Sequence, residues 1–133
     1  MNANSSYKTF IFNEKIDSEF LFSMYEDDFP YLEEVFHITL SQLEPDLEQV
    51  KQAFEQKDLT GLRKAVHKVK PSFGYTGLLQ LQESCRQFEE LCDRAGTFEE
   101  VMSDYGRLVG NMAESRNIIE NEWQKLKKFN SGL

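Results

Sequence analysis

Leu59-Thr60-Gly61-Leu62-Arg63-Lys64-Ala65-Val66-His67-Lys68-Val69-Lys70-Pro71-Ser72-Phe73-Gly74 repeats its apolar residues at helical intervals. At about 100° per residue, Leu59, Leu62, Val66, Val69 and Phe73 fall on one arc, which makes this stretch a helix with one buried face. His67 lies far round from that arc, among Arg63, Lys64, Lys70, Pro71 and Gly74. Its ring edge is therefore expected to be exposed or half-exposed. Pro71 cannot donate to the carbonyl four residues back, so a bend is expected at 67–71.

Outward from this stretch the same periodicity recurs. Upstream, a helix starts near Asp28, tolerates Pro30 in its first turn, and carries Leu32, Val35, Phe36, Leu40, Leu43, Leu47, Val50 and Phe54. Pro45 predicts a kink or brief break near 43–46. Lys57-Asp58 forms the turn into the His67 helix, capped by Asp58 or Thr60. Downstream, a helix from about Leu78 to Ala95 presents Leu78, Leu81, Cys85, Phe88, Leu91 and Cys92. Gly96 ends it and Thr97 caps a last helix from about Phe98 to Phe129. That helix carries Val101, Tyr105, Leu108, Met112, Ile118, Ile119, Trp123 and Leu126. A short first helix over about 17–26 is capped by Asp17 or Ser18. Residues 1–15, with Tyr7, Phe10, Ile11 and Phe12, form an arm packed on a body of residues 16–130. Short turns make consecutive helices antiparallel neighbours. The expected fold is all-α, an antiparallel up-down four-helix bundle with an additional short N-terminal helix.

The 133 residues suffice for one domain. The net charge of −8 argues against nucleic acid and anionic membrane surfaces as main partners, since both select a basic face. No apolar run approaches the roughly 20 residues needed to span a bilayer. The polar start Met1-Asn2-Ala3-Asn4-Ser5-Ser6 is no signal peptide. Cys85 and Cys92 stand roughly 10 Å apart along one helix, too far for a disulfide, and are read as reduced in a cytoplasmic protein. No Cys-x-x-Cys pair or nearby His suggests a metal.

The charge is unevenly spread. Residues 14–58 hold 13 acids against Lys15, Lys51 and Lys57. Between Asp58 and Glu83 there is no carboxylate, only Arg63, Lys64, Lys68 and Lys70. The surroundings of His67 are thus expected to form a local patch of positive charge. Such cations favour a neutral, nucleophilic imidazole and would stabilise a phosphoryl dianion on it. Pro71 and Gly74 leave room for a partner to close over the ring. His37, between Phe36 and Ile38, has no such surroundings and is read as a satisfied boundary residue.

The run His67-Lys68-Val69-Lys70-Pro71-Ser72-Phe73-Gly74-Tyr75-Thr76-Gly77-Leu78, followed by Cys85-Arg86-Gln87-Phe88-Glu89, resembles the histidine phosphotransfer (HPt) domains of two-component phosphorelays. Their pattern is His-x-x-Lys-Gly-Ser with Gly ten residues after the His. The resemblance covers about residues 17–130. It implies that His67 is the phosphoryl carrier, that Lys70 neutralises phosphoryl oxygens, and that Glu89 orients the ring. Gly77 would allow the tight bend after the His helix, and Ser72 has a structural role. Two positions depart from the family: Pro71 stands where Gly is usual, and Phe73 where small residues are frequent. The implied partners are response-regulator receiver domains, a hybrid sensor histidine kinase, or both. Mg²⁺ is expected on the receiver and no cofactor on this chain, which lacks a nucleotide-binding loop. Phe20, Leu21, Met24 and Tyr25 on the first helix are possible docking residues.

Two other readings fit parts of the pattern. Pro71 would suit a non-catalytic helical adaptor that binds receivers or kinases without being phosphorylated. An exposed His near a Pro also suits the dimerisation region of a sensor kinase. There, however, an acid follows the His and the Pro comes one position later; here Lys68 follows, and a monomer is expected. Met1 and the polar Asn130-Ser131-Gly132-Leu133 end favour a free-standing protein.

Overall fold

The structure, a computed structural model, describes residues 10–132. Tyr7 and the rest of the arm before Phe10 lie outside the described residues. Five α-helices follow one another: α1 Ser18–Tyr25, α2 Phe29–Glu55, α3 Leu59–Tyr75, α4 Leu79–Arg94 and α5 Met102–Asn130. A 3₁₀ turn, Phe98–Val101, leads into α5. Helices α2 to α5 make the up-down bundle. α2 packs extensively on α3 and α5, and α3 on α4, whereas α4 and α5 touch sparingly. α1 meets the C-terminal end of α3, where Leu21 lies against Gly77 and the Tyr25 hydroxyl donates to Tyr75 O.

The helix starts follow the sequence. Asp17, Asp28 and Asp58 each accept a hydrogen bond from the backbone N–H three residues on, at 2.9–3.0 Å, and so close orphan donors of the first turn. The end of α3 is a Schellman motif: Leu78 N–H donates to Phe73 O, Gly77 N–H to Gly74 O, and Gly77 takes φ +76°. A Cβ on Gly77 would press on Ile16 and Leu21 at 3.0 Å. The close bend expected there is therefore also a close contact. α2 ends in the same motif with Lys57 at φ 54°.

Proline interrupts neither long helix, and one expected helix end is corrected. α2 runs unbroken through Pro45, so there is no break at 43–46; one missing donor in a 27-residue helix is outweighed by the packing on both sides. α3 likewise stays helical across Pro71. Gly96 does not end α4. The helix stops at Arg94, Ala95 is extended (ψ 134°), and the N–H groups of Gly96 and Thr97 both donate to the Glu100 carboxylate at 2.7 Å.

The core stripe of α3 is as read from its wheel: Leu62, Val66, Val69 and Phe73 are fully buried. In α5 the stripe Tyr105, Leu108, Met112, Ile119 and Leu126 includes two polar residues, Ser115 and Glu122. Glu122 is only 3% exposed. It accepts from Asn13 N–H at 2.9 Å and from Lys125 Nζ, which also donates to Ile11 O at 2.8 Å. These bonds fix residues 10–16 on the bundle and bring Phe10 and Phe12 into the core with Phe29, Phe36 and Phe129. Among the described residues no helix is long and apolar enough to cross a membrane.

Candidate functional site

α3 and α4 run antiparallel in a register that pairs Arg63 with Asp93, His67 with Glu89 and Gly74 with Gln82. His67 projects from α3 with its side chain 65% exposed. Its Nδ1 lies 2.7 Å from Glu89 Oε1. Glu89 itself is buried, because it shares the inward face of α4 with Cys85, Phe88 and Cys92. Glu89 is therefore no solvated surface acid. Lys70, one turn after His67, places Nζ 2.8 Å from the other oxygen, Oε2, an ion-pair distance with an angle outside the hydrogen-bond range.

The charge on Glu89 decides the tautomer. Burial raises its pKa, but Lys70 and then His67 outweigh burial and hold the carboxyl below the usual glutamate value. It is ionised at neutral pH and can only accept. Nδ1 therefore carries the proton, and in the neutral ring the lone pair sits on Nε2, on the exposed edge. Nε2 has no hydrogen-bond partner among the described residues.

The positive patch expected around His67 is mostly compensated. Arg63 Nε stands 3.2 Å from Asp93, Lys68 3.7 Å from Asp46, and Lys70 pairs with Glu89. Only Lys64 of the four has no carboxylate within reach among the described residues. The acids come from α2 and α4, so the +4 count within one segment of sequence does not survive packing. The charge nearest the ring is a carboxylate. On the α4 side Arg86 bridges Glu83 and Glu90.

Pro71 is exposed, while Gly74 is half-buried beneath Gln82: a Cβ there would collide with the Gln82 amide. Gly74 thus serves close packing of α4 on α3, and of the two residues only Pro71 is exposed. Ser72 is buried, in agreement with a structural role, and its carbonyl accepts from the Thr76 hydroxyl at 2.9 Å. Phe73 packs wholly in the core.

Of the first-helix residues, Leu21 is fully buried against Gly77 and is not a docking residue. Phe20 is half-buried against the core, Met24 is 56% exposed, and Tyr25 is half-buried with its hydroxyl donating to Tyr75 O at 3.1 Å. Burial, then Tyr31 and Tyr75, push the Tyr25 hydroxyl up, so it remains a donor. Tyr31 and Tyr75, each at least half exposed, complete an aromatic surface with Met24 and Tyr25. Sequence reading missed both tyrosines. Tyr75 carried a signal, since it follows His67 by eight residues on the path through Pro71. His37 stacks on Trp123 at 4.5 Å, on another face of the bundle.

The Hpt domain family model matches residues 34–125. The chain belongs to the Hpt family. Its structure is similar to a crystal structure of the HPT domain from the Hpt sensor hybrid histidine kinase of Shewanella, with a TM-score of 0.72 and 15% sequence identity. That match covers 84% of this chain and 95% of the other, and it supports the all-helical fold. No curated protein matches the chain. Both family and fold agree with the resemblance read from the residues around His67.

Proposed function

We propose that this HPt domain is a phosphorelay intermediate in which His67 takes a phosphoryl group from a receiver-domain phospho-aspartate and passes it to another receiver. The observation that carries the reading is the 2.7 Å contact between His67 Nδ1 and the buried Glu89 carboxylate. It leaves Nε2 as the nucleophile on an open surface. Nε2 attacks phosphorus in line, the N–P bond forms, and the P–O bond to the aspartate breaks, which returns a carboxylate on the partner. The Nδ1 proton stays on the ring, where Glu89 balances the positive charge that the ring gains. Return transfer reverses each step.

Lys70 is assigned to the phosphoryl oxygens. Its ammonium stands at Glu89, one turn from the ring, so a small rotation about its side chain suffices. Glu89 is a positioning residue. The receiver supplies Mg²⁺ and most of the charge stabilisation at phosphorus. Met24, Tyr25, Tyr31 and Tyr75 form the docking surface beside Pro71. The chain acts as a monomeric phosphocarrier, with receivers and a hybrid sensor kinase as its partners.

The test is incubation with phosphorylated receivers. Wild-type protein is expected to take up an acid-labile, alkali-stable label, and His67→Gln none. Label surviving in H67Q would remove His67 from the site. Absence of label with every receiver, together with retained binding, would favour the adaptor.

A further inference from the structure

In an α-helix each carbonyl accepts from the N–H four residues on. Four residues after His67 stands Pro71, which has no N–H, and α3 remains helical through it. The His67 carbonyl therefore lacks the donor that its neighbours along α3 have. Among the described residues no side chain donates to it instead. Pro71 and His67 are both exposed, so this carbonyl belongs to the solvent-facing side of α3, where carbonyls tilt toward water. In-line transfer requires a receiver to close over the His67 ring, and closure removes that water. A buried acceptor left without a donor costs roughly tenfold or more in affinity.

We propose that Pro71 makes the His67 main-chain carbonyl a specificity-determining acceptor, met by a hydrogen-bond donor on the rim of the partner receiver's phospho-aspartate site. The donor is a backbone N–H or an amide, lysine or arginine side chain. The proposal rests on the phosphotransfer reading above. HPt domains with the usual Gly at this position close the carbonyl within their own helix, and a receiver matched to them needs no such donor. Pro71 thus selects for one class of receiver and against the other. The proline ring packs against this carbonyl from within the helix, so the partner's donor approaches it from the solvent side.

Pro71→Ala and Pro71→Gly both restore the N–H, and they differ in side chain and helix propensity. Full-length wild-type and variant proteins are titrated calorimetrically against unphosphorylated receivers, and transfer rates are measured as a function of receiver concentration. For the receiver that binds wild-type protein best, both variants are expected to bind roughly five- to tenfold more weakly, the worth of one hydrogen bond. KM rises alike, and the rate at saturation is unchanged. For poorly binding receivers the variants bind as well as wild type or better. Equal or tighter binding of the best receiver by P71A and P71G overturns the proposal. So does a loss in one variant only, which would point to packing of the proline ring. If wild-type protein binds receivers but takes no label, the phosphotransfer reading fails while the binding comparison still decides the acceptor. Binding to no receiver overturns both.

Discussion

Glu89 holds two neighbours at once, the Nδ1–H of His67 and the ammonium of Lys70, from a buried position on α4. Replacing it separates geometry from charge. Glu89→Gln keeps an acceptor for Nδ1–H, and Glu89→Ala removes it. Phosphotransfer to E89Q is expected to slow by roughly tenfold and to E89A by roughly a hundredfold, measured as initial label uptake at saturating receiver. A loss no larger in E89A than in E89Q would mean that ring orientation contributes little. The carboxyl also gives stability a pH dependence. Its pKa is lower in the fold than the ordinary 4.5. It therefore contributes stability that is fully present above that value and is lost as pH falls through the folded one. The difference in urea midpoint between wild type and E89Q should accordingly shrink on acidification from neutral pH, and a constant difference would contradict the ion pairing. His67 and Lys70 were legible in the sequence because they share a face of one helix. The burial of Glu89 was not, since it depends on how α4 rolls against α3. The buried thiols of Cys85 and Cys92, pushed up to about 12 and about 11 chiefly by that burial, are inert by the same packing.

At the level of single elements, glycine helps or harms according to what surrounds it. Gly106 and Gly110 lie on the exposed side of α5 with nothing near a notional Cβ. Gly106→Ala and Gly110→Ala should each stabilise the fold by about 1 kcal/mol, measured by urea denaturation. Gly61 behaves oppositely, since a Cβ there would collide with the Asp58 carboxylate that caps α3. Gly61→Ala is expected to cost roughly 0.5–2 kcal/mol, the worth of that cap. Lys57 occupies the left-handed position that closes α2 without the freedom of glycine. Lys57→Gly should gain about 0.5–1 kcal/mol, and no gain would imply that the lysine stem contributes compensating contacts. Asp17 and Asp58, each offered with one alternative, were legible as caps because capping needs only a short acceptor at the right offset. α1 was harder. Its eight residues make barely two turns, and both faces carry apolar side chains. Only contact with Gly77 assigns Leu21 to the core and leaves Met24 outside.

Across the whole molecule, the N-terminal segment is tied to the last helix by one buried carboxylate. Glu122→Ala would leave the Asn13 N–H and the Lys125 ammonium without it, and is expected to cost roughly 1–3 kcal/mol. Fluorescence of the single tryptophan, Trp123, stacked on His37 between α5 and α2, follows the unfolding. A midpoint equal to that of wild type would show that Phe10 and Phe12, with the Lys125–Ile11 and Lys15–Glu114 contacts, hold the segment without Glu122. By itself the sequence determined the helices, their caps, the up-down order and the exposed face of His67, because helical periodicity, proline, glycine and capping acids act within a few residues of themselves. Tertiary structure alone decided which charges meet. Asp46, Glu89 and Asp93 come from other helices and compensate the cations of α3, and Asn13 reaches Glu122 across 109 residues. Coulombic and hydrogen-bond partners act over a few ångströms in space, and that neighbourhood exists only once α3 and α4 have locked into register.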